Sequence, residues 1–209
     1  MLQRLWIFLW LPVLAAFYFN GMLNSVLAIM LGIVICLGTF EVCARRPFSG
    51  WSFVSIFHLL GVSVLFFLPA QEIIFIVLVV FANDTFAFIG GKYLGFHFIL
   101  KTKIFPKTSS NKTLGGLIYG LAGGCLSGWI FIENSTFPNN YVLLSPLVCL
   151  LAIAGDFLES KFKRHHNIKD SGEELFTGLL MYGHGGIYDR FDALAMASLG
   201  MGIFKLFFH

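Results

Sequence analysis

The sequence contains few charged residues for its length. Only 12% of its 209 residues are Asp, Glu, Lys or Arg, whereas 57% are hydrophobic, and the mean hydropathy is +0.82. This composition excludes an ordinary water-soluble domain. A helix needs about 20 apolar residues to cross the roughly 30 Å hydrocarbon layer of a membrane, so the length allows about seven spans and little else.

Cysteine is scarce and is not arranged for metal binding. The four cysteines stand singly in apolar stretches, without CxxC or Cys/His ligand spacing. We interpret them as small buried hydrophobic residues. The chain also lacks internal repeats, the alternating polarity of barrel strands and a GxSxG turn. Repeat proteins, membrane β-barrels and serine-based acyl transfer are therefore unsupported.

The apolar runs between polar breaks predict an all-α fold, a polytopic transmembrane helical bundle of about seven spans. The first run follows Arg4 as in a signal peptide, but no small-x-small cleavage site follows, so we expect it to remain as the first helix. We divide the chain into N-terminal transmembrane helices, 1–72, and a second transmembrane domain, 73–209. The predicted spans are 5–19, 22–42, 52–69, 73–91, 114–132, 141–160 and 193–208.

The distribution of Lys and Arg predicts the orientation of these spans. With a cytoplasmic N-terminus, 13 of the 14 cations fall in the inside segments, and Lys205 alone lies near the other end of the last helix. We therefore expect an integral protein of a bacterial-type inner membrane with its active site on the cytoplasmic side. The net charge of +3 is divided among short loops, so no nucleic-acid partner is expected. The inside segments are 1–4, 43–51, 92–113 and 161–192.

Carboxylates in or beside a span are functional candidates, because they are costly in a bilayer. Asp84 falls within the fourth predicted helix, where helix pairing is the simpler alternative. Asp156 follows Gly155 at the end of the sixth helix and begins a polar stripe at spacings of three or four. A solvated helix end would explain the lysines of this stripe, but it explains the deeper Asp156 poorly. The stripe comprises Asp156, Glu159, Ser160, Lys163 and Asn167.

A second polar segment, GHGGIYDRFD at 183–192, directly precedes the last span. Its glycines allow backbone N–H groups to approach an anion closely. Asp189 and Asp192 are one helical turn apart and could face one cation, while Arg190 could bind phosphate oxygens. The simpler alternative, a glycine turn followed by an Asp-capped helix, accounts for only part of the segment.

The 92–113 loop carries five lysines with aromatic residues between them. Contact with anionic lipid headgroups is the simpler interpretation for Lys101, Lys103 and Lys107. The polar cluster 109–113, which contains Lys112 and Thr113, is expected to open a helix and to bind phosphate.

Together these segments predict phosphoryl or nucleotidyl transfer at a site with several carboxylates. Hard oxygen ligands and phosphate favour Mg²⁺. A zinc site would need more His or Cys ligands than His165, His166 and His184 supply.

The order of these motifs resembles that of the phosphatidate cytidylyltransferase (CDP-diacylglycerol synthase) family. GDFLESKFKR, KDSG and GHGGIYDRFD are similar to the family signature GDxxESxxKRxxxxKDxGxxxPGHGGxxDRxD. Upstream, NDTFAFIGGKYLG resembles ADxxAYxxGRxxG, and SSNKTLGG resembles SPKKTxEG. The resemblance covers about residues 80–192.

This resemblance implies an enzyme that joins CTP and phosphatidic acid, or another lipid phosphate, to give CDP-diacylglycerol and pyrophosphate with Mg²⁺. A second metal ion and a homodimer remain open alternatives. The resemblance implies that Asp156 and Asp189 bind the metal. Together with Lys163 and Arg190, they would be the catalytic residues. The implied substrate-binding residues are Asp84, Lys112, Thr113, Ser160, Arg164, Lys169, His184, Gly185, Gly186 and Asp192.

The chain departs from the signature at three places, which predicts a divergent member. Gly115 stands where the family has Glu, Ser110 and Asn111 replace Pro and Lys, and the 171–182 segment is longer. Two alternatives stay open: a related CTP-dependent polyprenol or dolichol-type lipid kinase, and a catalytically silent lipid-binding paralogue.

Overall fold

The computed structural model describes residues 25–26, 29–30, 32–33, 36–37, 40, 60–94, 99–106, 109–165, 167 and 188–208. This part of the chain is mostly helical. Its long helices are α1 Ala70–Ile89, α2 Leu114–Glu133, α3 Leu144–His165 and α4 Tyr188–Phe208. Shorter helical segments lie at 60–64, Leu65–Phe67, Gly90–Leu94, Ile99–Lys101 and Asn139–Leu143.

Three of the described helical segments are long and apolar enough to cross a membrane: Ala70–Tyr93, Leu114–Glu133 and Asn140–His165. They coincide with the predicted spans 73–91, 114–132 and 141–160. The predicted span 193–208 lies within α4, which is not among these three. Most of the predicted spans 5–19, 22–42 and 52–69 lies outside the described residues, so the seven-span count stays a prediction.

A small antiparallel sheet connects α1 to α2, which the all-α expectation did not include. Strand β1, Lys103–Phe105, pairs with β2, Ser109–Thr113, and Lys103 lies opposite Thr113. The polar cluster 109–113 is therefore a strand, and its last residue, Thr113, opens the following helix as its N-cap. Helix α2 begins immediately after it, because the Thr113 hydroxyl accepts a hydrogen bond from the Gly116 amide at 3.1 Å.

Helices α1 and α2 pack antiparallel along glycines of α2. A Cβ atom at Gly116 would lie 2.9 Å from the Ala87 carbonyl oxygen, and one at Gly120 would lie 3.0 Å from the Asn83 carbonyl oxygen. Small residues permit such close backbone approach, which favours helix pairing in apolar surroundings. At the opposite end of this pair, the rings of Phe75 and Phe131 are 5.9 Å apart.

Helix α4 packs antiparallel against α3. Gly155 of α3 lies against the backbone of Asp192 in α4. At the other end of the pair, the rings of Tyr141 and Phe204 are 5.9 Å apart. The first turn of α4 is thereby brought beside the polar end of α3.

Candidate functional site

The polar end of α3 supplies the centre of the site. Asp156 and Glu159 are three residues apart and therefore share one face of the helix. Glu159 is 2% exposed, although it is ionisable. Lys163, one turn further along, forms an ion pair with Glu159 at 2.7 Å. Glu159 and Lys163 thus face the interior of the bundle, whereas the Asp156 side chain is 42% exposed at its edge.

Helix α4 adds a third carboxylate from a distant part of the sequence. Asp192 is buried in its first turns. Oxygen atoms of Asp156, Glu159 and Asp192 all lie within 4.8 Å of one another. The close contact at Gly155 makes this convergence possible, because a side chain there would meet the Asp192 carbonyl group.

The β-hairpin brings a lysine to the same place. Lys112 of β2 forms an ion pair with Asp156 of α3. The neighbouring Thr113 is occupied as the cap of α2, so its hydroxyl has a structural role. The hairpin therefore sets the position of Lys112 relative to the carboxylates.

Helix α1 contributes Asp84 at the edge of the cluster. The Asn83 side-chain amide donates a hydrogen bond to the Asp84 carboxylate at 3.3 Å. Asp84 is close enough to Asp156 and Lys112 for their charges to interact. Unlike its neighbour Asn83, Asp84 is exposed.

The donor set is suited to a hard divalent cation. Magnesium prefers carboxylate oxygens, retains several waters and is usually bound through one or two carboxylates together with phosphates. The three converging carboxylates meet this requirement. With Asp84, Lys112 and Lys163 they carry a formal charge of minus two, which one divalent cation would balance.

The other residues predicted for the site lie on α3, on α4 or outside the described residues. Ser160 is half-buried and Arg164 is exposed at the polar end of α3. Asp189 and Arg190 lie in the first turn of α4, where their backbone is described and their side chains are not. Four predicted binding residues lie outside the described residues: Lys169, His184, Gly185 and Gly186.

One residue of the cluster was not assigned a role from the sequence. Glu159 belonged to the predicted polar stripe, yet only Asp156 was singled out as a metal ligand on α3. The sequence signal for Glu159 was its position three residues after Asp156, which places both side chains on one face of a helix. The pairing of Lys112 with Asp156 had no signal in the sequence, because it depends on how the hairpin folds against α3.

The departure at Gly115 also has a structural explanation. Gly115 is buried at the start of α2. A Cβ atom there would lie 3.0 Å from the Leu100 carbonyl oxygen and 3.2 Å from the Leu100 Cβ. Any side chain at position 115 would therefore require the Ile99–Lys101 turn to shift by a few tenths of an ångström.

The chain is similar in sequence to known proteins. Residues 2–208 match the model of a family described as the cytidylyltransferase family. The chain is 37% identical to a phosphatidate cytidylyltransferase of Rickettsia typhi over 152 residues, which cover 66% of this chain and 61% of that protein.

Two further relatives bear the same name. The Helicobacter pylori strain 26695 protein is 38% identical over 135 residues, covering 63% of this chain and 46% of that protein. The Staphylococcus haemolyticus protein is 39% identical over 124 residues, covering 58% of this chain and 44% of that protein. The matched region thus spans between 44% and 61% of the length of these three relatives.

Proposed function

Because the chain belongs to the cytidylyltransferase family, we propose that it transfers a cytidylyl group from CTP to phosphatidic acid and forms CDP-diacylglycerol and pyrophosphate. The single observation that carries this proposal is the convergence of Asp156, Glu159 and Asp192 beside two lysines. A carboxylate cluster with cations beside it is suited to a metal ion and polyphosphate. The names of the relatives supply the substrate class.

Asp156, Glu159 and Asp192 would hold Mg²⁺, and Asp189 is proposed as a further ligand from the first turn of α4. Bound there, the ion would neutralise and orient the phosphate oxygens of CTP. Glu159 and Asp192 are buried, so few water molecules would compete with phosphate for the inner part of the cluster. The fit of these donors supports Mg²⁺ as the cofactor.

The reaction requires little covalent chemistry from the protein. A phosphate oxygen of the lipid attacks the α-phosphorus of CTP, and the bond from this phosphorus to the oxygen that bridges to the β-phosphate breaks. Pyrophosphate leaves with that bonding electron pair. The attacking oxygen is already anionic, so the protein mainly has to align two polyanions and screen their charges.

The lysines are placed for this screening role. Lys163 is held by Glu159 at 2.7 Å, and Lys112 is held by Asp156. Each lysine can keep its carboxylate in position and present the remaining N–H donors of its ammonium group to phosphate oxygens. We assign Lys112 to binding of the nucleotide, because it lies on the β-hairpin and not on α3 or α4, which carry the proposed metal ligands.

We also propose roles for the predicted residues that the cluster does not include. Arg190, with Arg164 and Lys169, would neutralise further phosphate charge, and Ser160 and Thr113 would line the nucleotide site. Asp84 would border the side from which the lipid phosphate approaches. His184, Gly185 and Gly186 would shape the pocket around the substrates.

Helices long and apolar enough to cross a membrane suggest an integral membrane protein. We propose a bacterial inner membrane as its location and a cytoplasmic active site, because the cations concentrate in the inside segments. The catalytic part would comprise residues 73–209, and residues 1–72 would form the N-terminal transmembrane helices.

The test is to incubate the purified full chain and Mg²⁺ with each of the four nucleoside triphosphates and several lipid phosphates, and to identify products by mass. We expect CDP-diacylglycerol and stoichiometric pyrophosphate from CTP and phosphatidic acid. CDP together with a phosphorylated polyprenol would instead identify a lipid kinase. Binding of phosphatidic acid without turnover, under conditions in which a characterised relative is active, would indicate a silent paralogue.

A further inference from the structure

An ion pair joins α1 and α4 at the end of the bundle opposite to the acidic cluster. The Lys205 ammonium group lies 3.0 Å from both carboxylate oxygens of Glu72. Glu72 is 5% exposed. Tyr141 is close enough to Glu72 for the two side chains to interact. Glu72 is therefore enclosed among apolar helices, and most of the Lys205 side chain, which is 25% exposed, is buried with it.

Both helices of this pair also carry a carboxylate of the candidate site. On α1, Glu72 and Asp84 are twelve positions apart, which is about 18 Å along a helix. On α4, Asp192 and Lys205 are thirteen positions apart, or about 20 Å. The two helices run antiparallel, so the ion pair joins them at one end and the acidic groups lie at the other.

Besides the ion pair, α4 is positioned by close backbone contacts at Gly155 and Gly61 and by the ring contact of Phe204 with Tyr141. Most of its buried side chains are small, so they form only shallow ridges between neighbouring helices. The Ser198 hydroxyl group donates a hydrogen bond to the Gly61 carbonyl oxygen at 2.5 Å. This contact lies near the middle of α4. The small buried residues of α4 are Ala193, Ala195, Ala197, Ser198 and Gly200.

We propose that Lys205 and Glu72 are positioning residues that fix the axial register of α4 and thereby place Asp192 in the acidic cluster. Burying this pair is costly, and a role in specifying register is the best-attested use of such groups. A slip of one helical turn would move Asp192 by about 5.4 Å. The carboxylate oxygens of the cluster lie within 4.8 Å of one another, so such a slip would disperse them.

The proposal rests on the proposed function only in giving the acidic cluster a metal-binding role. Two readouts test it on the full chain. The first is the distance between spin labels at Val77→Cys on α1 and Ile203→Cys on α4, both exposed positions, after the four native cysteines are replaced by alanine. The second is Mn²⁺ affinity measured by electron paramagnetic resonance.

Lys205→Met and Glu72→Gln should each shift or broaden the label distance by several ångströms, up to about 5.4 Å. We expect each to weaken Mn²⁺ binding at least tenfold. The charge swap Glu72→Lys with Lys205→Glu should restore both readouts. Glu133→Gln is the matched control, because Glu133 is exposed on α2 near the same end of the bundle, and it should change neither.

Wild-type label distance and Mn²⁺ affinity in both single variants would overturn the proposal, even if their melting temperatures fall. If the single variants do not fold, the label distance is measured in the uncharged double variant Glu72→Gln with Lys205→Met. A shifted distance there, with recovery in the charge swap, supports the register role; a wild-type distance overturns it. Absence of CDP-lipid synthesis by the wild type would refute the proposed function and leave the label-distance result standing.

Discussion

Gly155 of α3 lies directly against the backbone carbonyl group of Asp192 in α4. This contact allows a carboxylate from one helix to reach two carboxylates on another. A Cβ atom at position 155 would clash with the Asp192 carbonyl oxygen, so the backbones would have to move apart at the level of the candidate metal site.

We predict that Gly155→Val impairs both stability and metal binding. Overpacking costs about 1–3 kcal/mol, and the displacement would move Asp192 away from Asp156. The melting temperature in detergent should fall, and the Mg²⁺ concentration for half-maximal activity should rise. The neighbouring Ala154→Val is the control, since Ala154 is only half-buried. Unchanged Mg²⁺ dependence in Gly155→Val would argue against the Asp192 contact as a determinant of the site.

Neutralising the carboxylates should abolish turnover without unfolding the protein. We expect Asp156→Asn, Glu159→Gln and Asp192→Asn each to lower kcat by about 10²–10³, the loss typical of removing a group that stabilises transition-state charge. Asp189→Asn should do the same if its side chain completes the metal site. Product formation by mass spectrometry and gel filtration in detergent would measure activity and folding. Near-normal kcat in Asp156→Asn would refute the site assignment.

Loss of the hairpin lysine should affect nucleotide binding. Lys112→Ala removes both a cation and the partner of Asp156, so the apparent KM for CTP should rise about tenfold or more, as expected for a supporting group of a metal ligand. Lys112→Arg should recover part of the loss. Lys103→Ala is the matched control, because Lys103 is exposed on the other strand of the hairpin. A KM for CTP equal to that of the wild type would indicate that Lys112 contacts lipid headgroups and does not bind the nucleotide.

Gly115 should not tolerate the glutamate of the family signature. A Cβ atom there would lie 3.0 Å from the Leu100 carbonyl oxygen, so we predict that Gly115→Ala and Gly115→Glu are both less stable than the wild type by about 1–3 kcal/mol. Thermal unfolding of both variants in detergent measures the difference. If Gly115→Glu were as stable as the wild type and more active, the 99–101 turn would have to move aside readily.

The sequence was sufficient for features that depend on local pattern. Apolar runs identified α1, α2 and α3 within a few residues, because a span of this length is required by the membrane itself. The spacing of Asp156 and Lys163 placed both at one polar end of α3, because helical periodicity is local. The family resemblance rested on ordered motifs in the sequence, and the match over residues 2–208 confirms it.

The tertiary structure decided which of these groups meet. It brought Lys112 to Asp156 through a hairpin that pattern did not predict, since strand pairing depends on the partner strand as much as on local propensity. It made Glu159 a member of the cluster and joined Lys205 to Glu72 across the bundle. Such contacts depend on helix register and on the positions where glycines let backbones approach. The periodicity of a single segment determines neither.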